Sequence, residues 1–253
     1  MTRIGRISLM EVLVAVAVLV LLIAMLMPRI SRARQLARRT ACVANTGKLT
    51  ITAQTYMKDF NAFIVLDQAQ LNETGNWMKD LEPYGNNERL RQCGEASGDA
   101  TRPGTADRPW RWPEPTRITT GAYGYNGWLY DPVRLEMPER NVKKAGNDLD
   151  VDNPNRKNFY TKTTAVKTAR IPVFFDAIWT ESLPLPSDMV IDLYAGSFTS
   201  DANQMGRVAI DRHKKEIDVA FLDGHSETVS IPNLWTLDWN AQWVTPTELP
   251  VVK

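Results

Sequence analysis

The sequence predicts an α+β fold: a long N-terminal α-helix, apolar in its first half and amphipathic in its second, packed on an antiparallel β-sheet head. Three observations predict it. Val12 to Met27 contains no polar residue. Apolar residues then recur at three- and four-residue spacing as far as Phe60. Beyond Phe60 the texture changes to short apolar runs separated by Pro, Gly, Asn and Asp, including an Asp-Gly hairpin signal at Asp223-Gly224.

The first element is the apolar run. Extended back to Ile7 it admits only Ser8 and Glu11. As a helix, Ile7–Met27 spans about 31 Å, one hydrocarbon core, and a helix is the form that satisfies its own backbone in lipid. A cleaved secretory signal would need small residues after the run, where this chain has Met25-Leu26-Met27-Pro28-Arg29. A carboxylate inside such a span costs a few kcal/mol unless it has a partner or a task, so Glu11 is the informative residue.

Charge is asymmetric. The whole chain carries +1, which gives no case for nucleic-acid binding. Residues 1–39 hold seven Arg and one acid, Glu11, so they sum to +6 and the remainder to −5. Five of those Arg (Arg29, Arg32, Arg34, Arg38, Arg39) follow the span, and counted alone they place its C-terminal side in the cytoplasm.

Residues 29–60 continue as helix. Ile30, Ala33, Ala37, Ala41 and Ala44 form one stripe, continued by Leu49, Ala53, Tyr56, Met57 and Phe60. Gly47 and the threonines at 46, 50, 52 and 55 lower the helix propensity and predict a soft point near 45–52. In the head, 83–120 reads as a loop. Ala122–Tyr130 reads as strand and turn, and Ile171–Trp179, Val208–Ile210, Ile217–Leu222 and Thr228–Ile231 read as strands. Eight tryptophans are many for this length. Trp110, Trp112, Trp235, Trp239 and Trp243 stand in polar or Pro-rich text, where core packing is favoured over surface recognition of glycan or protein. Cys42 and Cys93 fit no zinc or redox spacing. An exported compartment would permit their pairing, and spacing says nothing of the geometry.

The segment Ser8-Leu9-Met10-Glu11-Val12-Leu13-Val14-Ala15 resembles the N-terminal signature of type IV prepilins and pseudopilins. The resemblance implies a leader of residues 1–6, a transmembrane helix over 7–28, an amphipathic stem over 29–60 and a β-rich head over 61–253. It also implies processing by a prepilin peptidase and methyltransferase. Counting Ile7 as mature residue one makes Glu11 fifth and Pro28 twenty-second, both positions of the family pattern. The residue before the cut is then Arg6, and the glycine of the signature, Gly5, stands one place early. The resemblance gives Glu11 the role of meeting the N-terminal amine of a neighbouring pilin-like subunit, and Pro28 that of a helix-kinking proline. It puts the chain in the inner membrane as a single-pass protein, head in the periplasm, reaching the cell surface once assembled. This is opposite to the arginine count, and the Arg cluster then lies along anionic headgroups.

A second resemblance lies near the C-terminus. His213, nine residues, then Asp223-Gly224 resembles the H-X9-DG element of one large group of prepilin-like proteins. Tyr123–Trp128, Pro172–Trp179 and Asn233–Leu237 are typical of the same group. Asp211, His213, Asp223 and His225 flank one predicted hairpin, and carboxylate with imidazole suits a transition metal. The competing reading is structural: Asp223-Gly224 makes the turn and His213 bonds a loop backbone. Asp148, Asp150 and Asp152, followed by Asn153, resemble the opening of a calcium loop, and some pseudopilins bind calcium in the head. Here Asn153 replaces the loop glycine and position twelve, Phe159, is not acidic. No serine or cysteine stands in a nucleophile motif, so no enzyme is expected. The expected function is therefore a structural subunit of a type IV pilus-like or type II secretion pseudopilus filament. The alternatives are a membrane-anchored module that binds glycan or protein without polymerising, and a tethered metal-dependent hydrolase using His213, Asp223 and His225.

Overall fold

The computed structural model describes residues 9–65, 76–113, 118–131, 157–162, 164–198 and 203–249. Gly5, Arg6, Ile7 and the acidic series Asp148, Asp150 and Asp152 lie outside them. The layout is α+β: a long apolar N-terminal helix and a mixed sheet of mainly antiparallel strands. The chain divides into two compact units, Met1–Thr40 and Ala41–Lys253.

Helix α1 runs from Leu9 to Phe60, with Pro28 inside it. In the first unit its large apolar residues are exposed, among them Leu13, Val16, Leu19, Leu22, Met25 and Leu26. This stretch is long and apolar enough to cross a membrane, a description that a membrane anchor and a signal sequence both meet.

In the second unit α1 continues without a break through 45–52, where the sequence predicts a soft point. Three of the four threonines are accommodated by back-bonding: Thr46, Thr52 and Thr55 donate their hydroxyls to the carbonyls of Val43, Leu49 and Ile51. The buried stripe is Cys42, Thr46, Leu49, Ala53 and Tyr56. The second half of the predicted stripe is right in Leu49, Ala53 and Tyr56, whereas Ala41 and Ala44 are exposed. Cys42 and Thr46 take the inward positions because a thiol and a self-satisfied threonine bury as readily as alanine.

The main sheet has the order β5-β3-β4-β6-β7. Its strands are β3 (Tyr123–Asn126), β4 (Pro172–Asp176), β5 (Glu181–Ser182), β6 (Glu216–Phe221) and β7 (Ser226–Ser230). All neighbours are antiparallel except β3 and β5, so the sheet is mixed rather than wholly antiparallel. The predicted loop at 83–120 contains part of a second sheet, β1 (Trp110–Pro113) with β2 (Ile118–Gly121). Val208–Ile210 is not a strand, apart from one bridge between Ile210 and Ala195. A short helix, α2, spans Asn76–Asp80.

Alternation along β4 splits the core. Phe174 packs with Trp77 and Tyr125 in the cluster that holds Leu49 and Ala53, while Phe175 packs with Trp239 in the other cluster. Trp110, Trp128, Trp235 and Trp239 are buried, so they fill cores; Trp112 and Trp243 are half-buried at their edges. Asn126 caps the 3-10 turn Gly127–Leu129 through the Trp128 N–H.

Candidate functional site

The sheet face that packs on α1 carries a polar row. Register pairs Tyr123 with Asp176 and Asp218 with Thr228. The Asp218 N–H donates to Asp176 Oδ2 at 2.8 Å, joining the two halves. Asp176 and Asp218 are both fully buried, which for carboxylates demands partners. Arg212 is the first: its Nη1 lies 3.2 Å from Asp176 Oδ1, and its other N–H groups donate to the carbonyls of Thr105, Ala106, Ala122 and Ala177. Both side chains of this ion pair are wholly excluded from solvent.

His213 is the second partner. It is 4 % exposed, and its Nε2 stands 3.2 Å from Asp176 Oδ2 and 3.3 Å from Asp218 Oδ2. The same nitrogen is 3.5 Å from the Cys93 thiol. Cys42, from α1, completes the group: the sulfurs of Cys42 and Cys93 and the His213 nitrogen all lie within 4.8 Å of one another. Both cysteines are free thiols and both are buried. The Tyr123 hydroxyl donates to the Cys42 and Gln92 carbonyls, closing the cluster on that side.

The local fold explains how His213 arrives there. Asp211 accepts the Lys215 N–H at 2.5 Å, and the His213 N–H donates to the Glu216 carbonyl. Lys214 and Lys215 both take left-handed backbone, φ 61° and 68°, which tightens the turn into β6.

The charges are strongly coupled. Burial opposes a positive His213, but the hydrogen bond to Asp176, the contact with Cys42 and the fields of both carboxylates outweigh it and raise the imidazole to about 10. Burial also works against a charged Asp176, yet His213, Arg212 and the Asp218 N–H hold it below the ordinary carboxylate value. Burial and the Asp176 charge push Asp218 up to about 7. Of the thiols, Cys42 is lowered, first by the hydrogen bond from Cys93 and then, against burial, by His213; Cys93 is raised by the same contact and by burial.

The sequence-predicted set is divided by this arrangement. His213 lies at the start of β6 and Asp223 just past its end, and a six-residue strand is roughly 20 Å long. Asp223 and His225 join neither ligand group around His213. They pair with each other instead: Asp223 Oδ1 accepts the His225 N–H and meets its Nδ1 at 2.6 Å. The structure thus does not bring His213, Asp223 and His225 into one group, since a strand's length separates the turn pair from the buried imidazole. The residues that do surround His213 are Cys42, Cys93, Asp176 and Asp218. A signal for two of them exists in the sequence: Asp176 ends the run Pro-Val-Phe-Phe, and Asp218 interrupts Ile-Asp-Val-Ala-Phe. An acid inside a buried strand must find a partner.

Burial also limits the chemistry. With Cys42, Cys93 and His213 all nearly inaccessible, the cluster resembles a nucleophile–base pair in composition but gives a substrate no approach. Compared with known proteins, the chain matches no family model, no curated protein and no solved structure.

Proposed function

We propose that the chain is a structural subunit of a pilus-like filament, of the type IV pilus or type II secretion pseudopilus kind. The observation that carries this reading is the contrast along α1. Over Ala41–Phe60 one face of α1, with Cys42, Leu49, Ala53 and Tyr56, is buried in the core of the head, while the apolar residues from Leu9 to Ile30 are exposed. An uninterrupted apolar surface of that length needs lipid, or the same helix from other copies, to cover it. Lipid covers it before assembly; neighbouring subunits cover it in the filament.

Glu11 supplies the registration. Inside such a bundle a carboxylate and an N-terminal amine each relieve the other's desolvation, which sets the axial position of one subunit on the next. On this reading a prepilin peptidase and methyltransferase act at Gly5–Arg6–Ile7, the single-pass precursor sits in the inner membrane, and the head faces the periplasm. The head's role is to present a surface, and no enzymatic activity is assigned to it.

The test is expression of the full chain with its export machinery, followed by shearing of cell-surface fibres. Glu11→Ala and Glu11→Gln are expected to abolish fibres while leaving the protein in the membrane fraction. Wild-type protein that stays monomeric in the membrane, with Glu11 variants behaving identically, would sink the filament reading and leave the anchored binding module. The intact mass of the assembled protein then locates the cut after Gly5 or Arg6 and shows the added methyl group.

A further inference from the structure

We propose that Cys42, Cys93 and His213 form a binding site for a zinc-class divalent ion, which clamps the head together across three segments remote in sequence. The inference concerns the head alone and holds whether or not the chain assembles.

Geometry comes first. In a tetrahedral zinc site with Zn–S of about 2.3 Å and Zn–N of about 2.0 Å, a sulfur and a nitrogen ligand stand roughly 3.5 Å apart. Cys93 Sγ and His213 Nε2 are 3.5 Å apart, and Cys42 Sγ lies within 4.8 Å of both. Two thiolates and one imidazole are the donor set that soft, tetrahedral divalent ions select.

The second observation is a deficit of donors. Around His213 Nε2 stand two carboxylate oxygens and a sulfur, and one ring N–H can serve only one of them. Asp176 is already supplied by Arg212 and by the Asp218 N–H. Asp218 uses its Oδ1 to accept from Thr228, but its Oδ2, fully buried, has no hydrogen bond. His213 Nε2 therefore stands between two thiols on one side and two carboxylates on the other, with more acceptors around it than its one N–H can serve. A cation meets that need. It replaces the His213 proton, and Asp176 keeps its other donors. Asp218 Oδ2 stands 3.3 Å from the same nitrogen, in the neighbouring carboxylate group that shares His213 with the thiols.

The three ligands come from α1, from the segment before β1 and from the turn into β6. None of these is local to another, so the site exists only in the folded head, and ion binding stabilises that fold. Binding releases the protons still held by the thiols and by His213, one for each ligand that must be deprotonated.

The experiment uses the full chain, purified in detergent with a mild reductant. Retained metal is measured by elemental analysis, and cobalt(II) is substituted to read thiolate-to-cobalt charge transfer. The expected result is about one zinc per chain, a cobalt spectrum of a tetrahedral thiolate site, and a lower melting temperature after chelation. Cys93→Ser and His213→Gln are expected to weaken ion binding by at least ~10-fold, while Asp223→Asn, at the exposed turn, leaves it unchanged. Where a variant fails to fold, the wild-type cobalt spectrum decides alone. A folded wild-type chain that takes up neither zinc nor cobalt overturns the proposal. So does an intact mass two hydrogens lighter than the reduced chain after purification without reductant from the export compartment, because a Cys42–Cys93 disulfide and an ion compete for the same sulfurs.

Discussion

The two ends of β6 carry residues of the same kinds and live in opposite surroundings. At its start, His213 is buried against Asp176, Asp218, Cys42 and Cys93. Past its end, His225 stacks on Phe221 and pairs with Asp223, and the side chains of this pair remain 41 % and 35 % exposed. The difference is set by what packs above each end. Cys42 of α1 covers the first; at the second α1 contributes Gln54, whose amide donates to the Leu222 carbonyl. From Cys42 to Gln54 a helix rises about 18 Å, close to the roughly 20 Å of a six-residue strand. The helix therefore runs the length of the hairpin, closing one end and leaving the other in water. Histidine and aspartate do different work according to depth: charge compensation where they are covered, turn geometry where they are not.

The buried end should break hardest. Arg212→Met removes the cation that faces Asp176 with both side chains wholly excluded from water. Leaving a buried charge uncompensated costs about 3–5 kcal/mol. Urea unfolding of the variant is expected to show a loss of that order, with the slope unchanged. A loss below ~1 kcal/mol would mean that His213 alone compensates Asp176, and the contrast between the two ends would weaken.

That contrast also marks how far the sequence could be read. The hairpin was legible because its information is local: alternation in β6, Asp223-Gly224, then alternation in β7. The surroundings of His213 were not, because they are tertiary. Cys93 lies 120 residues from His213, and Asp218 lies 42 residues from Asp176. Spacing in the H-X9-DG element reports the length of a strand, not the depth of its ends, so it grouped His213 with Asp223 and His225. The long apolar helix was legible for the same local reason as the hairpin. The inward placement of Cys42 and Thr46 was not, since alanines at 41 and 44 offer an equally helical stripe and only the shape of the sheet chooses between them. Burial of Trp110, Trp235 and Trp239 followed from the general cost of exposing such rings.

The turn itself is the next point of attack. Gly224 holds φ 97°, and its N–H donates to the Phe221 carbonyl to close the hairpin. A β-carbon placed there would meet nothing nearer than the Gln54 amide at 3.5 Å, so the penalty is conformational and not a clash. Gly224→Ala should cost about 1–2 kcal/mol in thermal or urea unfolding, and Gly224→Asn less, because asparagine tolerates left-handed backbone. Equal losses for the two variants would show that something other than backbone conformation is at stake.

The smallest effect belongs to the exposed pair. Asp223→Asn keeps an oxygen for the His225 N–H and removes only the charge facing the imidazole, so the expected loss is within ~1 kcal/mol near neutral pH. Its pH dependence has a definite sign. Slight burial works against the Asp223 carboxylate, but the His225 ring and N–H hold it below its ordinary value of 3.8. A carboxylate depressed in the folded state contributes stability that is present above 3.8 and is lost as pH falls through the folded value. The gap between wild type and Asp223→Asn in urea midpoints should therefore shrink toward zero in strong acid. If it persisted there, the side chain would be acting through shape alone. If it exceeded the Arg212→Met loss, the exposed end of β6 would be the one that holds the head together, and depth would have to be abandoned as the principle dividing the two ends.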